Sequence, residues 1–118
     1  MTSGFYQSTH GHAGRRLNAH DITNITGLTV SELAGFIGVK SAALKKDPAA
    51  PEAQPGLAKF VRAWEQLQTL FPGDDAIKAW LDHPVPALAG RTPKWLLDEH
   101  GVDAFTEMIA EMLEGGHG

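Results

Sequence analysis

The sequence predicts an all-α protein, and three observations lead to that. From Ile22 onward, apolar residues recur three and four apart, which is the spacing of one helix face. No stretch of four or more residues alternates apolar and polar with β-branched enrichment, as a half-buried strand would. The chain is punctuated by helix caps and breakers: Thr29 with Glu32, Gly38, Pro72-Gly73, Thr92-Pro93 and Gly101. At 118 residues it makes one small domain, or two helical lobes sharing a core.

Taken in order, residues 1–20 read as a flexible N-terminal arm, rich in Gly, Ser, Thr and His, with Phe5 and Tyr6 able to dock elsewhere. Thr29-Val30-Ser31-Glu32 is a capping box, in which hydroxyl and carboxylate satisfy each other's free backbone donors. A helix is therefore expected from Val30 to about Ile37, ended by a left-handed turn at Gly38. A second runs from about Ser41 to Lys46 and stops before Pro48. DPAAPEAQPG, with three prolines, is expected to be a stiff extended connector. Leu57, Phe60, Val61, Trp64, Leu67, Leu70 and Phe71 share one face of a spine helix from about Pro55 to Phe71. Pro72-Gly73 breaks it. Asp74 or Asp75 then caps a helix to about Asp82, with Ala76, Ile77, Trp80 and Leu81 inward. His83-Pro84-Val85-Pro86 starts a loop that reaches Arg91. Thr92-Pro93 opens a helix that ends at Gly101. The last helix, about Asp103 to Leu113, carries Phe105, Met108, Ile109, Met112 and Leu113 on one face and Glu107, Glu111 and Glu114 on another.

Composition narrows the function. No cysteine is present, so disulfides and thiolate metal sites are excluded and a reducing cytoplasm is the expected location. No apolar run is long enough for a membrane span, and the expectation is of a soluble chain with no membrane partner. The six histidines, His10, His12, His20, His83, His100 and His117, form no His-x-x-x-His pair, so no metal is expected. Asp74-Asp75 and Asp98-Glu99 read as caps and solvated faces. With no catalytic set of residues and no cofactor motif, an enzyme is not expected. The net charge of −4 is unevenly spread: residues 1–64 carry seven Lys/Arg against four Asp/Glu, and residues 65–118 three against ten. The asymmetry fits two halves that face different partners, the basic one compatible with nucleic acid, and it equally fits solvated faces of uneven composition.

Leu28 to Asp47, LTVSELAGFIGVKSAALKKD, is a short helix, a glycine turn and a second short helix. Ala34 permits a close crossing, and Val39 and Leu44 fill the space between the two. The pattern resembles the helix-turn-helix of phage-repressor-like regulators, and it equally fits an αα-hairpin with no DNA role. Base readout usually needs Arg, Asn or Gln on the second helix. Lys40, Ser41, Lys45 and Lys46 offer mainly phosphate contacts, so DNA binding would be weak and salt-sensitive.

The segment WLDHPVPALAGRTPKWLL, Trp80 to Leu97, is ordered more specifically than core packing requires. Ala79-Trp80-Leu81, His83-Pro84, Leu88-Ala89-Gly90-Arg91-Thr92-Pro93, Leu96-Leu97, Gly101, and Leu113 with Gly115 together resemble the C-terminal toxin-binding domain of the Xre/MbcA/ParS antitoxin family. In that family the loop reads Leu-Gly-Gly-x-x-Pro, and here Ala89 replaces the first glycine. With the repressor-like element upstream, the resemblance covers roughly residues 28–115. It implies an Xre-like helix-turn-helix region with the spine helix at 21–71, and a C-terminal helical toxin-binding lobe at 72–118.

The resemblance further implies the antitoxin of a type II toxin-antitoxin system. Such a chain binds a RES-domain toxin that degrades NAD or transfers ADP-ribose, and silences it by occluding its active site. The implied toxin-binding residues are Trp80, Leu88, Arg91, Trp95, Met108, Met112, Leu113, Gly115, Gly116 and His117, with Met112 to Gly118 entering the NAD site. Arg91 reads equally as a cap on a neighbouring helix C-terminus. The implied partners are the cognate toxin, a second copy in a homodimer within the toxin-antitoxin complex, and operator DNA if the complex represses its own operon. A stand-alone helix-turn-helix transcriptional regulator is the alternative.

Overall fold

The computed structural model describes residues 16–115, and they form six helices. These are α1 (Ala19–Thr26), α2 (Val30–Ile37), α3 (Ser41–Lys46), α4 (Gln54–Gln68), α5 (Asp74–Leu81) and α6 (Pro93–Gly115). Among the described residues there is no strand, only an isolated antiparallel bridge between Val85 and Arg91. Phe5, Tyr6, His10 and His12 lie outside the described residues.

The local signals act where the sequence places them. Thr29 and Glu32 form both hydrogen bonds of the capping box, 3.0 and 2.9 Å. Gly38, at φ 77°, closes α2 in the left-handed region. The Thr92 hydroxyl accepts from Trp95 N–H at 3.0 Å and starts α6 at Pro93. Gly101 breaks α6 sharply, at φ 83° and ψ −176°, a conformation open essentially to glycine alone. The break re-aims the second half of the helix so that Val102, Phe105 and Ile109 turn into the core.

Four expectations are corrected. Residues 17–20 are packed rather than part of an arm: Asn18 caps α1, and Leu17 is buried with its backbone N–H and C=O both bonded to the Gln54 amide, at 2.7 and 3.0 Å. The proline-rich connector is compact rather than extended. Ala50 and Ala53 are buried, and Pro51–Ala53 form a single 3-10 turn that feeds α4, because small side chains let this stretch lie against the core. The spine helix ends at Gln68 rather than Phe71, and neither Asp74 nor Asp75 caps α5, whose cap is the extended Gly73. Asp74 instead accepts from Trp64 Nε1 at 2.8 Å and Gln68 Nε2 at 3.0 Å, which ties the end of α4 to the start of α5 across the Pro72-Gly73 break.

The core is continuous through the helices. Phe60 on α4 meets Phe36 of α2, Trp64, and Phe105 of α6, with ring centroids 6.5, 6.0 and 6.2 Å apart. Phe105 continues to Trp80 of α5 at 6.4 Å, and Trp80 to Phe71 at 5.5 Å. Close helix approach is enforced at Gly56, where a Cβ would lie 2.6 Å from Ile37 Cβ. At Gly101 a Cβ would come within 3.3 Å of the Phe36 carbonyl oxygen, in a backbone region that already disfavours side chains. Gly101→Ala is therefore expected to lower unfolding free energy by about 1–3 kcal/mol. Urea denaturation of the two proteins checks this, and equal stability would mean that the kink tolerates a side chain.

Candidate functional site: the loop and kinked helix of residues 66–115

Residues 83–92 form a tight loop between α5 and α6. Val85 N–H donates to the Arg91 carbonyl at 3.0 Å, Gly90 N–H donates back to the Val85 carbonyl at 3.1 Å, and Pro86–Leu88 make a 3-10 turn inside this clasp. To close it, the chain passes through two successive left-handed residues, Ala89 at φ 57° and Gly90 at φ 84°. Ala89 is the only described non-glycine residue with positive φ. A methyl group there costs roughly 1 kcal/mol against glycine, the residue the resembled family has at this position.

The clasp delivers Arg91 onto the first turn of α6. Its guanidinium carbon lies 4.4 Å from the centroid of the Trp95 ring, a cation-π contact, and His100 packs edge-on against the same ring at 5.5 Å. Arg91 and His100 are exposed and Trp95 half-buried, so the stack is presented outward. Trp80 and Leu88 are half-buried, and Trp80 is also part of the core column, so its ring serves the interior first. On the second half of α6, Phe105 and Ile109 are buried in the protein's own core, and Met108 and Met112 are partly covered by it. That leaves less of the terminal helix face free than its periodicity implies. Leu113 is exposed, Gly115 is half-exposed, and Gly116 and His117 lie outside the described residues.

Sequence reasoning missed the link that joins this region to α2. Glu32 completes the capping box with one carboxylate oxygen and pairs with Lys94 in the first turn of α6 with the other, at 2.5 Å. Burial alone would raise the Glu32 carboxyl. The hydrogen bonds from Lys94 and Thr29 outweigh it and hold the group below the ordinary carboxylate value. The Glu32 partner in turn raises the Lys94 ammonium, against the opposing effect of burial. The signature of the box was legible at Glu32, but nothing local marks a partner sixty-two residues away.

The remaining candidates stand apart. Lys40, Lys45 and Lys46 are exposed around α3, Ser41 is half-buried at its first turn, and Leu44 beneath them is buried. Ala34 is fully buried at the α2–α3 crossing, and Val39 donates to its carbonyl at 3.0 Å. Among the described residues, no group of three or more His, Asp or Glu side chains could hold a metal ion, and no helix is long and apolar enough to cross a membrane.

Residues 66–115 match the family model of the Antitoxin Xre/MbcA/ParS C-terminal toxin-binding domain. Over this segment the chain is similar to the toxin-binding domain of that antitoxin family. The match opens inside α4, takes in the clasp and the Arg91–Trp95 stack, and closes at the end of α6. No curated protein and no solved structure matches the chain.

Two outcomes follow for the domain's stability. Ala89→Gly should raise it by about 0.5–1 kcal/mol, measured by denaturant unfolding; a loss would mean that the methyl contributes packing that outweighs its backbone cost. Glu32→Gln keeps the capping geometry and removes the charge. The Glu32 contribution is present above the unfolded carboxyl pKa and lost as pH falls through the lower folded value. The Lys94 contribution is present below its unfolded pKa and lost as pH rises through the raised folded one. The variant should thus be less stable by about 0.5–1 kcal/mol at neutral pH. The deficit should close in acid, below the folded Glu32 pKa, in thermal melts run across pH.

Proposed function

We propose that the protein is the antitoxin of a type II toxin-antitoxin pair, which neutralises a RES-domain, NAD-consuming toxin by placing its C-terminal end in the toxin's active site. The observation that carries this reading is the match of residues 66–115 to the toxin-binding domain, whose last helix ends at Gly115 just past the exposed Leu113. The domain lends itself to binding rather than catalysis, acting in the cytoplasm without cofactor or metal. Trp80, Leu88, Arg91, Trp95, Met108, Met112, Leu113, Gly115, Gly116 and His117 are the proposed contact set, with the Arg91–Trp95 stack as its rigid outward element and residues 112–118 as the occluding one. We read residues 72–118 as the toxin-binding lobe and 21–71 as the helix-turn-helix region with its spine.

A second reading is favoured by the α2–α3 pair, which crosses over Ala34 and turns at Gly38 with exposed Lys40, Lys45 and Lys46 beside it. In it the protein, alone or as a homodimer within the toxin-antitoxin complex, also holds operator DNA through phosphate contacts and represses its own operon.

Co-expression with the neighbouring gene's product, purification through a tag on one partner, and an NAD-consumption assay test the first reading. Co-purification with suppressed NAD turnover is the expected result. Removal of residues 114–118 should leave folding intact and restore most turnover; full inhibition by the shortened protein would exclude occlusion by the tail. An active neighbour that neither binds nor is inhibited, with salt-sensitive operator binding by this protein alone, would favour the regulator instead.

A further inference from the structure

Among the described residues, the exposed large hydrophobic side chains are Leu70 and Leu113, at 44% and 42%. Each continues a buried stripe. On α4, Phe60, Trp64 and Leu67 are fully buried, and Leu70 lies three residues further, just past the helix end. On α6, Phe105 and Ile109 are fully buried, and Leu113 lies four residues further. The two helices run side by side in the same direction: Lys59 pairs with Asp103 at 2.8 Å, Phe60 stacks on Phe105, and a shallow groove with Gln66 on one wall has Ala110 on the other. In that register both leucines emerge at the same end of the molecule, past the point where the chain covers its own stripes. Their chain neighbours Phe71 and Met112 are half-buried, and the carboxylates of Asp75, Glu111 and Glu114 are exposed nearby in sequence.

We infer that Leu70 and Leu113 form a two-point apolar anchor that seats the toxin-binding domain on the toxin beside its active-site mouth. The inference rests on the proposed RES-toxin reading and adds to it a residue from α4's end. Three observations indicate the toxin as occupant. Both leucines fall within residues 66–115, the toxin-binding domain. The chain beyond Gly115 leaves from this same end, so a partner that receives it meets the leucines first. Leu17, near the start of the described residues, is held by Gln54 at the opposite end of α4 from the two leucines. Charge agrees: a cleft that binds the diphosphate of a dinucleotide is rimmed by cations, and the residues flanking the two leucines in sequence include the exposed Asp75, Glu111 and Glu114.

The test uses the full chain and the purified RES-domain product of the adjacent gene, with NAD turnover, titration calorimetry and sedimentation as readouts. Leu70→Ser and Leu113→Ser should each weaken toxin binding about tenfold or more, as expected for a leucine that becomes buried on association. Leu70→Met should bind like the unmodified protein, and all three should keep its melting temperature and self-association state. If the unmodified protein inhibits the toxin and Leu70→Ser binds it equally well, the anchor is overturned and the antitoxin reading stands. If Leu70→Ser alters self-association and leaves toxin affinity unchanged, the occupant is a second copy and the anchor is likewise overturned. If the unmodified protein neither binds nor inhibits, both fall together.

Discussion

The arrangement depends on the ring of Phe60. It is fully buried and makes ring contacts with Phe36, Trp64 and Phe105, so one side chain of α4 fixes the spacing of α2 and α6. Offset aromatic pairs tolerate a narrow range of separations, and a core this small has few other large groups with which to compensate. Around that contact the rest follows: Gly56 lets α4 come against Ile37, and Gly101 lets α6 turn beside the Phe36 carbonyl. The Trp64–Asp74 bond then orients α5 so that Trp80 can reach Phe105. The clasp and the Arg91–Trp95 stack are mounted on this frame.

The frame crosses the boundary of the toxin-binding domain. Phe36 and Phe60 lie outside residues 66–115, and Trp80 and Phe105 inside; the Glu32–Lys94 pair spans the same divide. The exposed Lys59–Asp103 pair also spans it but contributes little, since both groups remain solvated. The clasp and the kinked helix are thus positioned by aromatic packing and one partly buried ion pair, with α2 and α4 as their foundation.

What was legible in the sequence was mostly local. Capping boxes, a Thr-Pro start and glycines at positive φ act within four residues, so α2, the start of α6 and the break at Gly101 could be read directly. The compact proline-rich stretch could not, because its shape depends on Ala50 and Ala53 fitting under distant helices and on Gln54 reaching back to Leu17. Adjacent carboxylates at a helix start usually cap, so the sequence points to Asp74 or Asp75 as a cap, whereas the partners of Asp74 are the Trp64 indole and the Gln68 amide one helix away. The clasp was legible as a resemblance, down to Ala89 in place of glycine. The exposure of Leu70 was hidden, since its spacing is that of a core residue and only the early end of α4 reveals that it has nothing above it.

The kink at Gly101 also bears on how the molecule is made. In order of synthesis, Phe105 and Ile109 are among the last core residues to be joined, and they enter the core only once the chain has turned at Gly101. Until then Phe36, Phe60 and Trp80 lack the ring that joins them, although most of the buried side chains, from Leu17 to Leu97, are already in place along the chain. A chain stopped before Phe105 would leave those aromatic rings uncovered, and exposed apolar surface of that kind invites proteolysis.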